Sequence, residues 1–181
     1  MASEETLPNS DFAFDLLKTL KVPYHVRRHS LKVAEKALEI AEKINEKAVD
    51  KDLIEIGGIL HDIGRSKTHD FKHGIIGAKI LKERGFSKRL SRICETHMLG
   101  GLDKVDAKQV GLPERDYMPL TLEEKIICLA DKHIAGTKDV SIEQRFEKWF
   151  SKYGKTQILI KAKERIDTIQ KEIENLTNSR Y

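Results

Sequence analysis

Apolar residues recur at intervals of three and four along most of the chain, the spacing of helices that each bury one face. A first helix is predicted from Ser10 or Asp11, as N-cap, to about Leu20, burying Phe12, Leu16, Leu17 and Leu20. Pro23 suits the first turn of a second, reaching about Ala48, with the stripe Val26, Val33, Ala37, Ile40, Ala41 and Ile44. A third starts near Asp50 or Asp52 and is apolar nearly all round (Leu53, Ile54, Ile56, Ile59, Leu60, Ile63), so it is expected to be buried. Gly57 and Gly58 weaken that helix, which makes close approach to a neighbour the reason to expect for them.

Residues 66–71 read as a polar loop, and His73 opens a fourth helix that runs to about Arg84 and is stopped by Gly85. The fifth runs from Ser87 to Met98, with Leu90, Ile93 and Cys94 on one face, and ends at Gly100-Gly101. Residues 102–120 form a long connection with Gly111, Pro113, Pro119 and one short helix near Asp103–Gln109. Connections of this length are often lids or specificity elements. Thr121 and Glu124 have the spacing of a capping box for a sixth helix, whose stripe is Ile127, Ala130 and Ile134 and which Gly136 ends. Ser141 caps a further helix containing Phe146, Trp149 and Phe150. The last helix carries Leu159, Ala162, Ile166, Ile169, Ile173 and Leu176 as a short coiled-coil-like seam. It is expected to pack on its own domain, a partner or second copy being the alternative. No strand or repeat is predicted. The expected fold is an all-α bundle, one domain over residues 1–181, with helices 141–177 packed on the rest.

Composition adds little. The 181 residues carry 34% charged side chains, interspersed, with a net charge of +4, which mildly favours anionic ligands. A clustered basic stripe is missing, which argues against nucleic acid as the partner. Cys94 and Cys128 lie in apolar helical patterns and read as buried thiols of a reducing compartment. The first residues have no secretion h-region, and no apolar run approaches the ~20 residues of a membrane span. A soluble, cytoplasmic protein is expected.

The histidines change the picture. His29, His61, His73 and His97 lie on, or open, apolar helical faces, and so do the carboxylates Asp62 and Asp131. Each alone is better read as a satisfied core residue. Six together would be costly to bury without a common partner, and one shared ionic centre removes that cost. Imidazole and carboxylate without thiolate suit an open octahedral metal (Fe or Mn first, Co or Ni next) better than structural zinc. Six ligands exceed the need of one catalytic ion, so two ions with Asp62 between them are expected. His25, His69 and His133 fall off the stripes and read as surface, with His69 or His133 as the ones that could meet substrate.

The order His29, His61-Asp62, Asp131 resembles the HD superfamily of metal-dependent phosphohydrolases, and His61-Asp62-Ile63-Gly64 is similar to its HDIG subgroup. The resemblance spans about residues 24–135. His73-Gly74-Ile75-Ile76-Gly77 and His97 are similar to the added histidines of its binuclear branch, and the chain resembles small stand-alone archaeal HD proteins. The doublet is not followed by the Gly-Tyr-Pro of the cyclic-di-GMP branch, and the 102–120 segment has no counterpart in the diadenosine-tetraphosphate enzymes. Both substrates are therefore disfavoured.

The resemblance implies hydrolysis of a nucleotide-like phosphate ester or anhydride by a metal-activated water. Asp62 would be catalytic as well as a ligand. Arg65 and Lys132, each close in sequence to a ligand, are expected to contact phosphate, Arg145 more weakly; surface or local salt bridges, such as Arg65 with Asp62, are the competing use. His73 or His97, if not a ligand, would protonate the leaving oxygen. A non-catalytic metal- or nucleotide-binding sensor acting through a partner is the alternative function, and a homodimer is compatible with the C-terminal seam.

Overall fold

The computed structural model describes residues 6–44 and 49–178. Its helices are α1 Ser10–Thr19, α2 Tyr24–Glu42, α3 Lys51–Leu60, α4 His73–Glu83, α5 Lys88–Thr96, α6 Lys104–Gln109, α7 Leu122–His133, α8 Ile142–Tyr153 and α9 Gln157–Asn178. Short 3-10 turns follow α3 (Ile63–Ser66) and α5 (Met98–Gly100). The all-α expectation holds apart from one feature. After α7 the chain reverses through Gly136, at φ 64°, and pairs β1 Ile134–Ala135 with β2 Lys138–Asp139 in a two-residue antiparallel hairpin. Ile134, expected on the helical stripe, is thus buried from a strand position.

Helix α3 sits at the centre, as its all-round apolarity requires. Leu53, Ile54, Ile56, Ile59 and Leu60 are all buried, and the helix packs against α1, α2, α5 and α7. Its two glycines mark two kinds of contact. A Cβ on Gly58 would lie 2.6 Å from the Ala34 Cα of α2, so those two backbones touch. A Cβ on Gly57 would meet only the methyl tips of Ile93 and Ile127, at 2.6 and 2.7 Å. The α2–α3 contact is what sets His29 and His61 side by side.

Several local expectations are corrected. Phe12 is 52% exposed, its ring edge-on to Phe86, and Ala13 takes the buried place beside Leu16 and Leu17. Helix α2 ends at Glu42, while Ala48 lies outside the described residues. At α7 the Thr121 hydroxyl does accept from Glu124 N. The Glu124 carboxylate, however, accepts from Leu120 N and pairs with Arg92 instead of closing a capping box. The complete box is at α8, between Ser141 and Gln144.

Residues 102–120 are not a lid. Leu102, Ala107, Leu112 and Tyr117 bury themselves with Met98 in a second apolar cluster. Asp103 and the almost fully buried Asp106 accept bonds from Lys161 and Arg165 of α9 at 2.6–2.8 Å, which staples the segment to that helix. The α9 seam is likewise used within the chain: Ala162, Ile166, Ile169 and Ile173 belong to the main core, and Leu176 is left 39% exposed.

Candidate metal centre

The six expected ligands come from five helices and the joints that follow two of them. His29 is in the second turn of α2, His61 and Asp62 lie where α3 gives way to its 3-10 turn, and His73 opens α4. His97 closes α5, and Asp131 is in the last turn of α7. They converge. His29 Nε2 is 2.8 Å from Asp131 Oδ1, and His61 Nε2 is 3.6 Å from the same oxygen and 3.7 Å from Asp62 Oδ2. His73 and His97 Nε2 lie 3.1 and 3.4 Å from Asp62 Oδ1. Asp62 therefore stands between a His29–His61 side and a His73–His97 side. Three groups of ligand atoms, His29/His61/Asp62, His61/His97/Asp131 and Asp62/His73/His97, each lie within 4.8 Å of one another.

The outer ring nitrogens explain which atoms point inward. His29 Nδ1 faces Gly136 O at 2.9 Å, His61 Nδ1 faces Gly58 O at 2.7 Å, His73 Nδ1 faces Asp70 O at 2.6 Å and His97 Nδ1 faces Cys94 O at 2.9 Å. A carbonyl can only accept, so each ring carries a proton on Nδ1 and turns its Nε2 toward the centre, where a metal would take the Nε2 lone pair. In the last three the acceptor is the carbonyl three residues earlier. Local chain geometry at a helix end or start thus fixes the tautomer.

The inward atoms fit a cation and little else. His61 Nε2 and Asp62 Oδ1 are buried without a hydrogen-bond partner among the described residues, and the Nε2 atoms of His73 and His97 stand 3.2 Å apart. Lone pairs at that distance repel unless something positive lies between them. Burial alone would raise the Asp62 carboxyl, but the neighbouring His61, His73 and His97 rings hold it well below its ordinary range. Asp131, which burial would also raise, is held low by the Lys132 charge and by His29 and His61. Burial pushes the His97 imidazole down to about 4, against the pull of Asp62. Two ionised acids beside the neutral His97 imidazole suit a metal, although His61 is shifted the other way, raised by Asp62 and Asp131 against its burial.

Residues 26–136 match the family model described as the HD domain. The chain belongs to the HD-domain family. Among its relatives, the uncharacterized protein MJ0778 of Methanocaldococcus jannaschii is 45% identical over 166 residues, 91% of this chain and 96% of that protein. A tRNA (cytidine(56)-2'-O)-methyltransferase of Picrophilus torridus is 35% identical over 146 residues. They make up 81% of this chain but only 42% of that protein, so the chain spans less than half of the methyltransferase it matches. Among solved structures, the HD domain of the L. monocytogenes phosphodiesterase PgpH in complex with cyclic-di-AMP superposes with a TM-score of 0.53 at 21% identity. The match covers 92% of this chain and 97% of that one, and it shows the shared fold.

Around this HD centre the expected phosphate contacts divide. Arg65 lies at the edge, its Nε 2.9 Å from Asp62 Oδ2 and its Nη1 on His69 O, so the local pair with Asp62 is real. Lys132 is not a surface residue. It is 2% exposed, and its Nζ donates to Asp131 Oδ2 at 2.5 Å and to His97 O at 2.7 Å, tying α7 to the end of α5. Arg145 also turns inward on the protein: its guanidinium caps α7 by donating to the carbonyls of Asp131, Lys132 and Ile134. His133 is half-buried and faces Val140 O, away from the centre.

A cleft of about 550 Å³ opens over the cluster and is lined by His29, Asp62, His97 and Asp131. Its walls add Arg28, Arg65, Lys132 and Arg145, the rings of Tyr24 and Trp149, and His25 and His69. None of residues 102–120 lines it. The sequence stripes missed Tyr24, Arg28 and Trp149 because they mark core faces, not cleft walls. Available signals were the i, i+4 spacing of Arg145 and Trp149 and the proximity of Tyr24 and Arg28 to His29.

Proposed function

We propose that this chain is an HD-type metal-dependent phosphohydrolase acting on a nucleotide-like phosphate ester or anhydride. One observation carries the reading: four imidazole Nε2 atoms and two carboxylates gather in overlapping groups about Asp62, whose Oδ1 is buried without a hydrogen-bond partner, at the floor of a cleft walled by cationic side chains. His29, His61, Asp62 and Asp131 would hold one ion and Asp62, His73 and His97 a second, with iron or manganese suited to the donor set. Ions bound there supply an acidified water and neutralise charge on the phosphoryl oxygens.

The remaining work falls to the chain's own residues. Arg65 presents its guanidinium edge to a phosphate oxygen while Asp62 orients it. Lys132 positions the Asp131 carboxylate and does not touch substrate, and Arg145 anchors the helix end that carries both. With His73 and His97 committed to Asp62, His69 on the cleft wall is an imidazole able to hold a proton for the leaving oxygen. The PgpH HD domain in complex with cyclic-di-AMP, and the stretch shared with a tRNA methyltransferase, support placing the substrate among nucleotides. The buried thiols suit a reducing compartment such as the cytoplasm.

The test combines elemental analysis of anaerobically purified protein with a screen of phosphomonoesters, cyclic phosphates and dinucleoside polyphosphates, with manganese or iron added. About two ions per chain and phosphate-ester turnover are expected, and both should vanish in Asp62→Ala while its circular dichroism stays helical. Full turnover in that variant refutes the assignment. Binding of metal and nucleotide without turnover would make the chain a sensor instead.

A further inference from the structure

The family match ends at residue 136, yet one wall of the cleft comes from α8, beyond it. The placement of that helix is over-determined. The Ser141–Gln144 capping box fixes its start, while Ile142 and Phe146, both buried, fix its rotation. Arg145 and Trp149, four apart, therefore share the face turned to the cleft, and the Arg145 bonds to the end of α7 hold that face beside Asp131. The Trp149 indole is half-buried, edge-on to Phe146 at 5.1 Å, with the Arg145 guanidinium 5.3 Å from the ring centre. Tyr24, 65% exposed, brings a second ring to the same cleft from the start of α2.

We infer that Trp149 is the base-binding element of this site: the purine or pyrimidine of a nucleoside phosphate stacks on its indole while the phosphate lies over the Asp62 cluster beside Arg65. The inference rests on the phosphohydrolase reading for the position of the phosphate. The cleft itself supplies the chemistry of the rest. Arg28 and Arg65 suit an anion, the Trp149 and Tyr24 rings line the same cleft, and stacking of a base on such a ring tolerates any of the four bases. A phosphate ester without a base would leave the α8 wall unused.

Trp149 is the sole tryptophan, so its fluorescence reports on the wall directly. The metal-loaded full chain is titrated with the four nucleoside 5′-monophosphates, and with ribose 5-phosphate as the base-free probe. At least one monophosphate is expected to quench the indole and to bind more tightly than ribose 5-phosphate. By calorimetry, Trp149→Leu should weaken that nucleotide roughly 5- to 150-fold and leave ribose 5-phosphate unchanged, and Trp149→Phe should restore most of the loss. Ribose 5-phosphate binding as tightly as every nucleotide in the unaltered chain overturns the inference. So does unchanged nucleotide affinity in Trp149→Leu. Should the leucine variant misfold, the phenylalanine variant and the unaltered chain still decide. Phosphate release is scored separately: base-selective binding without turnover of any ester sinks the hydrolase reading alone, and turnover without base selectivity sinks the stacking alone.

Discussion

Replacing Gly64 by alanine tests how the HDIG segment is built. Gly64 has no left-handed φ, so alanine is locally tolerated there, and any damage must come from contact. An added Cβ would lie 1.9 Å from His73 O and 2.7 Å from Gly77 N, both backbone atoms of α4. To open the first contact even to 3.0 Å, α4 or the 3-10 turn must retreat by about 1.1 Å, and no side-chain rotation can relieve it. Overpacking costs ~1–3 kcal/mol, and a backbone-to-backbone clash belongs at the top of that range. For a chain of this size about 3 kcal/mol lowers Tm by roughly 6–12 °C. The same retreat pulls His73 from its 3.1 Å approach to Asp62, so bound metal should fall too. Two neighbours calibrate the reasoning. In Gly58→Ala the Cβ meets Ala34 backbone at 2.6 Å, but alanine recovers about 1 kcal/mol of helix propensity, so a net loss of about 1–2 kcal/mol is expected. Gly57→Ala meets only isoleucine methyls, which can turn, and should fall within about 1 kcal/mol of neutral. Thermal unfolding of the three variants, with metal content measured in parallel, gives the order. Gly64→Ala within about 2 °C of the parent, or more stable than Gly57→Ala, would refute the account.

Two further outcomes follow from the charged groups. Lys132→Met removes the cation paired with Asp131 in a nearly closed site, so stability should drop by about 3–5 kcal/mol and metal affinity with it. A variant as stable as the parent, changed in KM alone, would return Lys132 to a phosphate-contact role. Asp103 titrates well below the ordinary carboxylate range because Lys161 and the Asp106 amide bond its ionised form. A depressed native pKa contributes stability that is complete above the unfolded value near ~4 and fades as pH falls below it. Urea midpoints at pH 7 and pH 3 should therefore differ less in Asp103→Asn than in the parent, and an unchanged difference would contradict the pairing.

The helices and the identity of the clustered groups could be read from the chain because both depend on local spacing. The interval of three and four places His29 on the Val26–Val33 face of α2 whatever lies opposite. The all-round apolarity of α3 put it at the centre, and the Gly57-Gly58 pair announced a close contact without saying with what. Where side chains compete for partners, spacing was silent. Lys132 reads as a cation beside a ligand, and only the approach of α5 to α7 shows it buried on His97 O. The 102–120 segment has the length of a lid, but its placement was decided by Lys161 and Arg165, more than forty residues further on. The His29 tautomer depends on Gly136 O, more than a hundred residues away, and the cleft wall of α8 on an arginine reaching another helix's last carbonyls. Periodicity is a property of neighbours in the chain, whereas burial, protonation and access to the site are set by whatever the fold brings alongside.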